Sequence, residues 1–283
     1  MSSIIDKSYT YILTLNALRK LYPEDWRPSW VKITTITMIS SCGKPIDIHK
    51  IKAEFEKRGS IFVKPVDSDF EGFEWKLKPT NFFNQITIGY KDQYSTKSIK
   101  IFPNGSIQVA GCCDLFDCMR IVNQLSSIFK EVLEEDEIVP IDSYRVVMIN
   151  TNFSLNYNVN LIKVAEHFSS VGIFQVSFEP DNYSAVMLKF KPAADMKEVT
   201  TSIFSTGKII LTGAETLREI AYAYNIVNQY IYKVPGIRVS KTEDKDTFET
   251  FMGYRFDDWV PVLQGKGYKP WIYTRDNPSI KFV

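Results

Sequence analysis

Residues 208–213, KIILTG, place apolar and small polar side chains alternately, the period-two pattern of a half-buried strand. TSIF before them is a second short apolar run, and the intervening STG suits a tight hairpin with glycine in a left-handed conformation. Beyond Gly213 the period lengthens. Leu217, Ile220, Ala221 and Tyr224 recur at the spacing of an amphipathic helix. The same succession occurs upstream, where IKIFPNGSIQVAG, residues 99–111, leads into Ile121, Leu125 and Ile128. Phe102 matches Phe204, Gly105 matches Gly207 and Gly111 matches Gly213. A repeat of about 100 residues is too long for a solenoid unit and indicates a duplicated domain. Asp114 and Glu215 stand near the two helix starts, where the helix dipole favours a carboxylate.

Each half opens with a strand and a helix: Lys32 to Ser40 then Asp47 to Lys57, and Tyr144 to Thr151 then Leu161 to Phe168. Further strands are predicted at 72–77 and 84–90, and at 173–178 and 184–190. The order per half is strand, helix, four strands, helix. That is an α+β pattern, with helices on one face of a curved antiparallel sheet and the other face open. The repeats are expected over 31–135 and 143–234, joined across the acidic run Glu134 to Glu137. Residues 1–30 form an N-terminal extension with a helix at Tyr9 to Leu21. Residues 235–283 form an aromatic-rich, irregular extension in which Tyr254, Trp259, Tyr268 and Trp271 pack.

Hydrophobic residues make up 45% and charged residues 24%, the profile of a soluble globular protein. No apolar run is long enough for a bilayer, and MSSIIDKSYT lacks the form of a secretory signal, so an intracellular location is expected. Cys42, Cys112, Cys113 and Cys118 fit reduced thiols better than a zinc site, since no second Cys/His pair stands at ligand spacing. Catalysis finds little support. His49 and His167 are not placed as a pair, GKGYK at 265–269 lacks the strand-then-helix setting of a phosphate loop, and Asp257 and Asp258 read as surface charge beside an aromatic strand. No cofactor, metal, small-molecule substrate or membrane partner is expected. The net charge of +1 counts against nucleic-acid binding by bulk charge, leaving shape, apolar contact or partners to provide it.

FEPDNYSAVMLKF (178–190), TTSIFSTGKIILTGAET (200–216) and RVVMINTNFSLNYNVNLIKVA (145–165) resemble the second repeat of the TATA-binding protein family. IDIHKI, NFFNQITIGY and IKIFPNGSIQVAG match the first repeat more loosely, so the resemblance covers roughly 34–234. It implies a duplicated TATA-binding-protein-like saddle, the curved sheet carrying its helices on the convex face. The implied function is a non-enzymatic transcription initiation factor that binds promoter DNA and bends it. The weaker first repeat and added tails are similar to distant relatives from large DNA viruses. The location would then be a nucleus if the chain is cellular, or a host cytoplasmic viral factory or virion if viral.

In such a saddle, apolar side chains lie in the minor groove, which carries little sequence information beyond A·T against G·C, and aromatic wedges kink the duplex. The resemblance assigns the wedges to Phe83, Phe102, Tyr183 and Phe204. Tyr183 departs from the family's Phe and brings a hydroxyl that needs a partner. The groove face would comprise Thr35, Ala110, Met148, Asn150, Ile210 and Thr212, with Ser202 beside them. Gln108 and Lys100 depart from an apolar face, and Thr35 and Met148 stand where the family has central asparagines. Lys189 and Lys208 match phosphate-contacting positions while Ser106 replaces the first-half lysine, which predicts a stronger grip in the second half. Glu179 and Asp181 match the loop that engages a TFIIB-like factor. The implied partners are A·T-rich promoter DNA, a TFIIB-like factor and the RNA polymerase machinery. Against this stands a saddle-fold interaction scaffold that has lost DNA binding. A nuclease or glycosylase would need a catalytic domain larger than the C-terminal tail.

Overall fold

A computed structural model describes residues 2–64, 69, 71–113, 115–133, 144–242, 245, 247–251, 254–271, 273–274 and 281–282. Asp114 and the run Glu134 to Glu137 lie outside these residues. The chain divides into two compact units, one of residues 35–148 and one of residues 1–34 with 149–283. They are called here the first-repeat and second-repeat units.

The first-repeat unit contains β1 (Lys32–Ser41) from Thr35 onward, α2 (Ile48–Arg58), β2 (Ser60–Val63), β3 (Phe73–Lys78), β4 (Ile86–Asp92), β5 (Thr96–Ile101), β6 (Ser106–Cys112) and α3 (Leu115–Leu133); α1 is Ser2–Arg19 of the other unit. Its antiparallel sheet runs β2-β3-β4-β5-β6-β1. Ile99, Ile101, Ile107 and Val109 are fully buried, as are Ile121, Val122, Leu125 and Phe129 of α3. Strand alternation thus gives one face to the helices and leaves the other outward. Strand β2, directly after α2, was not predicted. It pairs with β3 and makes this meander one strand longer than the sequence suggested. Its four residues are too short for a clear alternation.

The second-repeat unit contains β7 (Arg145–Ser154) from Ile149 onward, β8 (Tyr157–Val159), α4 (Leu161–Val171), β9 (Gln175–Ser177), β10 (Ala185–Phe190), β11 (Val199–Phe204), β12 (Lys208–Ala214) and α5 (Leu217–Lys233). Its sheet runs β7-β12-β11-β10-β9. The two repeats punctuate their helices alike. The Asp47 carboxylate accepts the His49 and Lys50 amides at the start of α2, and the Asn160 side chain accepts the Lys163 amide at the start of α4. Gly59 and Gly172 end these helices at φ of +76° and +78°. The α+β class is therefore the observed one.

The terminal extensions belong to the second-repeat unit. Helix α1 packs on α5, and α6 (Phe256–Gly265) packs on α1. Tyr9 meets Trp259 and Tyr268 at centroid distances of 6.1 and 5.0 Å, and the Tyr224 hydroxyl donates to Ser29 O at 2.9 Å. This cover explains why α5 buries residues on every side, from Ile220 to Ile231. The extension holds more regular structure than expected, with β13 (Arg238–Lys241) paired to β8 and helix α6. Asp257 and Asp258 are exposed in the first turn of α6, directly after the short strand Tyr254–Arg255, and the helix dipole favours them there.

Equivalent carboxylates anchor the two long helices differently. Glu219 forms a capping box with Thr216 and also accepts the Lys197 and Glu215 amides. Its counterpart Asp117 pairs with buried Lys97 at 3.0 Å and with Arg120 at 2.6 Å, and Arg120 reaches Asp92 at 3.4 Å. Burial pushes the Asp117 pKa up, but Arg120, the Cys113 amide and Lys97 outweigh it and hold the group below its ordinary value. Asp92 is held low in the same way, with burial opposed by the Tyr94 and Ser95 amides. A folded-state pKa below the unfolded one contributes stability that is present above the unfolded pKa and lost as pH falls through the folded one. Chemical denaturation of the first-repeat unit should therefore show stability falling below about pH 4. Lys97→Met should cost about 2 kcal/mol at neutral pH, because Asp117 keeps Arg120 but loses its buried cation. An unchanged denaturation midpoint would show that the network contributes nothing net.

Candidate nucleic-acid interface

In both repeats the hairpin turn fixes where the phenylalanine stands. The Gly105 amide donates to Phe102 O and the Gly207 amide to Phe204 O, each at 2.9 Å. Gly105 and Gly207 adopt φ of +84° and +77°, a region in which only glycine is free of strain. A Cβ at these positions would meet Lys44 O at 2.0 Å and Tyr157 O at 2.1 Å. The carbonyls of the same glycines accept the Cys42 and Leu155 amides at 2.7 and 2.9 Å. Each hairpin is thus bound to the loop that precedes α2 or α4. Alternation then buries Ile101 and Ile203 fully and leaves Phe102 and Phe204 half-buried on the opposite face.

Cross-strand register identifies the partner aromatics. Ile86 lies opposite Ile101 and Val186 opposite Ile203, so Phe83 and Tyr183 each stand three residues before an equivalent strand position. Phe83 is 93% exposed, and its neighbour Phe82 is exposed as well. Tyr183 is held by a turn in which Glu179 O accepts the Asn182 and Tyr183 amides at 3.0 and 2.9 Å. Its ring meets Phe204 edge-on at 5.8 Å, and it remains 39% exposed. The structure therefore brings Tyr183 and Phe204 together as a pair. The Glu179 carboxylate accepts Asn182 Nδ2 at 3.0 Å, and Asp181 is exposed beside it.

Between β7 and β9 the outward row reads Asn152, Ile210, Ser202, Met187, Ser177 across the register. The next row runs Thr212, Thr200, Lys189, Gln175. Ile210 is 39% exposed, and Thr212 and Asn150 are half-buried. The Thr34 hydroxyl donates to Asn150 O at 2.9 Å. Apart from Lys189 these rows hold small, neutral or apolar side chains, and Lys208 is exposed at the hairpin end. Asn152, Met187 and Thr200 were missed from sequence, although counting outward positions from Ile210 and Thr212 would have found them. The Asn152 amide oxygen is buried and makes no hydrogen bond among the described residues.

The first-repeat rows differ. One runs Thr37, Ala110, Ser98, Gly89, Lys76, and the other Ile39, Gln108, Lys100, Thr87, Lys78. Thr35 and Met148 are half-buried, on β1 and β7 respectively. Among the described residues no group of three or more His, Cys, Asp or Glu side chains could hold a metal, and no helix is long and apolar enough to cross a membrane.

Residues 143–234 match the family model described as transcription factor TFIID, or TATA-binding protein. A mimivirus protein named TATA-box-binding protein-like is 27% identical over 239 residues, 71% of this chain and 65% of that protein. The chain resembles a divergent TATA-binding protein. The matched region runs from β7 through α5 and holds the Tyr183–Phe204 pair. The TATA-box-binding protein of Picrophilus torridus is 25% identical over 67% of this chain and 95% of its own length. Among solved structures, Methanococcus jannaschii TBP aligns over 72% of this chain and 99% of its own length, at 15% identity and a TM-score of 0.48. The match to the mimivirus protein covers about two thirds of that protein's length.

Gly207→Ala tests how the second hairpin is held. The added methyl meets both an unfavourable φ and the Tyr157 carbonyl, so a loss of more than about 1 kcal/mol is expected. Thermal unfolding checks this, and an unchanged melting temperature would show that the hairpin is not clamped there.

Proposed function

We propose that this TATA-binding-protein-like chain is a transcription initiation factor that binds the minor groove of A·T-rich promoter DNA and bends it. The observation that carries the reading is the Tyr183–Phe204 pair at the end of a neutral outward face, matched by Phe102 and exposed Phe83 in the other repeat. A wide surface of Ile210, Met187, Thr200 and Thr212 suits the floor of a minor groove, where readout is mainly A·T against G·C. Paired aromatics insert between base steps and recover the unstacking cost through the contact surface that a bent duplex gains. Thr35, Ala110, Met148 and Asn150 complete the groove-facing set, and Lys189 and Lys208 would meet phosphates. Glu179 and Asp181, exposed on the turn that carries Tyr183, would face a TFIIB-like factor, with the RNA polymerase machinery recruited in turn.

A second reading has a specific observation behind it. Gln108 and Lys100 occupy the middle of the first-repeat face, where an apolar floor would be expected. In a protein-interaction scaffold that has lost DNA binding, these groups would meet another protein. The two readings separate in a bending assay by energy transfer between the ends of a promoter duplex. Phe102→Ala with Phe204→Ala should remove most of the bend and weaken binding by at least tenfold while the fold is retained. An unchanged bend in the double variant contradicts the wedge assignment. A wild-type protein that ignores duplex DNA but retains partners favours the scaffold.

A further inference from the structure

The second-repeat unit holds a cavity of about 660 Å³. It is lined by Glu24, Asp25 and Trp26 of the helical turn Glu24–Trp26, by Tyr232 near the end of α5, and by Arg238 and Lys245. That volume lies within the range of about 300–1,000 Å³ common for ligand sites. The Arg238 guanidinium carbon stands 4.7 Å from the Trp26 ring centre and 4.5 Å from that of Tyr232. Each ring is itself fixed. Trp26 meets buried Tyr157 edge-on at 5.4 Å, and Tyr232 meets buried Tyr22 edge-on at 5.0 Å. Trp26, Tyr232 and Arg238 are half-buried, whereas Glu24, Asp25 and Lys245 are exposed at the rim.

A register shift in β13 brings a second cation to the same ring. Arg238 lies opposite Val159 and Ser240 opposite Asn158, so Val239 is an extra residue on β13. In an unbroken strand, residues three apart face opposite ways. Here both Arg238 and Lys241 lie over Trp26, with Lys241 Nζ 5.4 Å from the ring centre. The two cations differ in what they hold. Lys241 pairs with Asp25 at 2.7 Å. Arg238 forms no ion pair with a carboxylate among the described residues. A guanidinium held against rings keeps its in-plane N–H donors, whose fork matches a carboxylate.

We propose that this recess docks an extended acidic peptide of a partner protein, with one peptide carboxylate on the Arg238 guanidinium and Lys245 adding charge at the rim. Among the described residues β13 pairs with β8 alone, so its outer edge offers main-chain donors and acceptors to an added strand. A nucleobase suits the recess less well, because the Trp26 ring already carries Arg238 and Lys241. A continuous phosphate backbone would meet exposed Glu24 and Asp25, whereas a peptide can place a single carboxylate between them. Trp26, Arg238 and Lys245 lie outside residues 143–234, the span that matches the family model. The inference is independent of DNA binding.

The experiment is fluorescence anisotropy of a labelled peptide of alternating glutamate and threonine, titrated with the full chain. The wild-type protein should bind it saturably, and Arg238→Gln should weaken binding by about tenfold or more. Arg238→Lys should restore only part of the affinity, since an ammonium lacks the planar fork. Should Arg238→Gln fail to fold, Lys245→Gln, at an exposed position, should weaken binding by about threefold. No binding by the folded wild-type chain overturns the proposal, as does equal binding of a lysine–threonine peptide. Unchanged affinity in folded Arg238→Gln does so too. Displacement of the acidic peptide by an equal concentration of inorganic phosphate would assign the recess to phosphate anions and overturn the peptide assignment.

Discussion

In each repeat the hairpin glycine presses against a backbone carbonyl with no room for a side chain. A Cβ on Gly105 would stand 2.0 Å from Lys44 O, and one on Gly207 2.1 Å from Tyr157 O. The same two turns accept amides from Cys42 and Leu155, so the strand pair and the loop leading into the next helix form one body. This contact decides which way everything else points. With the turn fixed, strand alternation sends Ile101 and Ile203 towards the helices and leaves Phe102 and Phe204 on the outward face. The half-exposure of a phenylalanine, usually a cost, is then imposed by backbone geometry rather than by a vacancy in the core.

The repeat was legible in the sequence because its signals are local and periodic. Phe–x–x–Gly turns, alternating strands and helices spaced at three and four residues require no knowledge of distant partners. Two features were not legible. Strand β2 is too short to alternate and is defined by its pairing with β3. Helix α6 was obscured because its aromatic residues read as irregular packing, whereas Trp259 is placed by Tyr9, far away in the chain. At the site, Phe204 and Tyr183 could be named singly, but their edge-on contact depends on a turn built by the Glu179 carbonyl.

Charge shows why a whole-chain sum misleads. A net charge of +1 argues against nucleic-acid binding only if the charges are evenly spread. Two lysines separated along the chain, Lys78 and Lys100, flank the same Thr87 once register is set. Meanwhile Asp92 and Asp117 are drawn to the helical side to hold Arg120 and buried Lys97. The outward face thereby loses acid and keeps base. In the second-repeat unit, helix α1 packs on α5 and α6 packs on α1.

Binding of the purified, folded chain to an A·T-rich duplex and to a G·C-rich duplex of equal length tests the central claim most directly. Minor-groove wedging over a neutral face predicts tighter binding to the A·T-rich duplex, by about tenfold or more, since the guanine amino group obstructs the groove floor. Equal affinity for the two duplexes, or none for either, would contradict it.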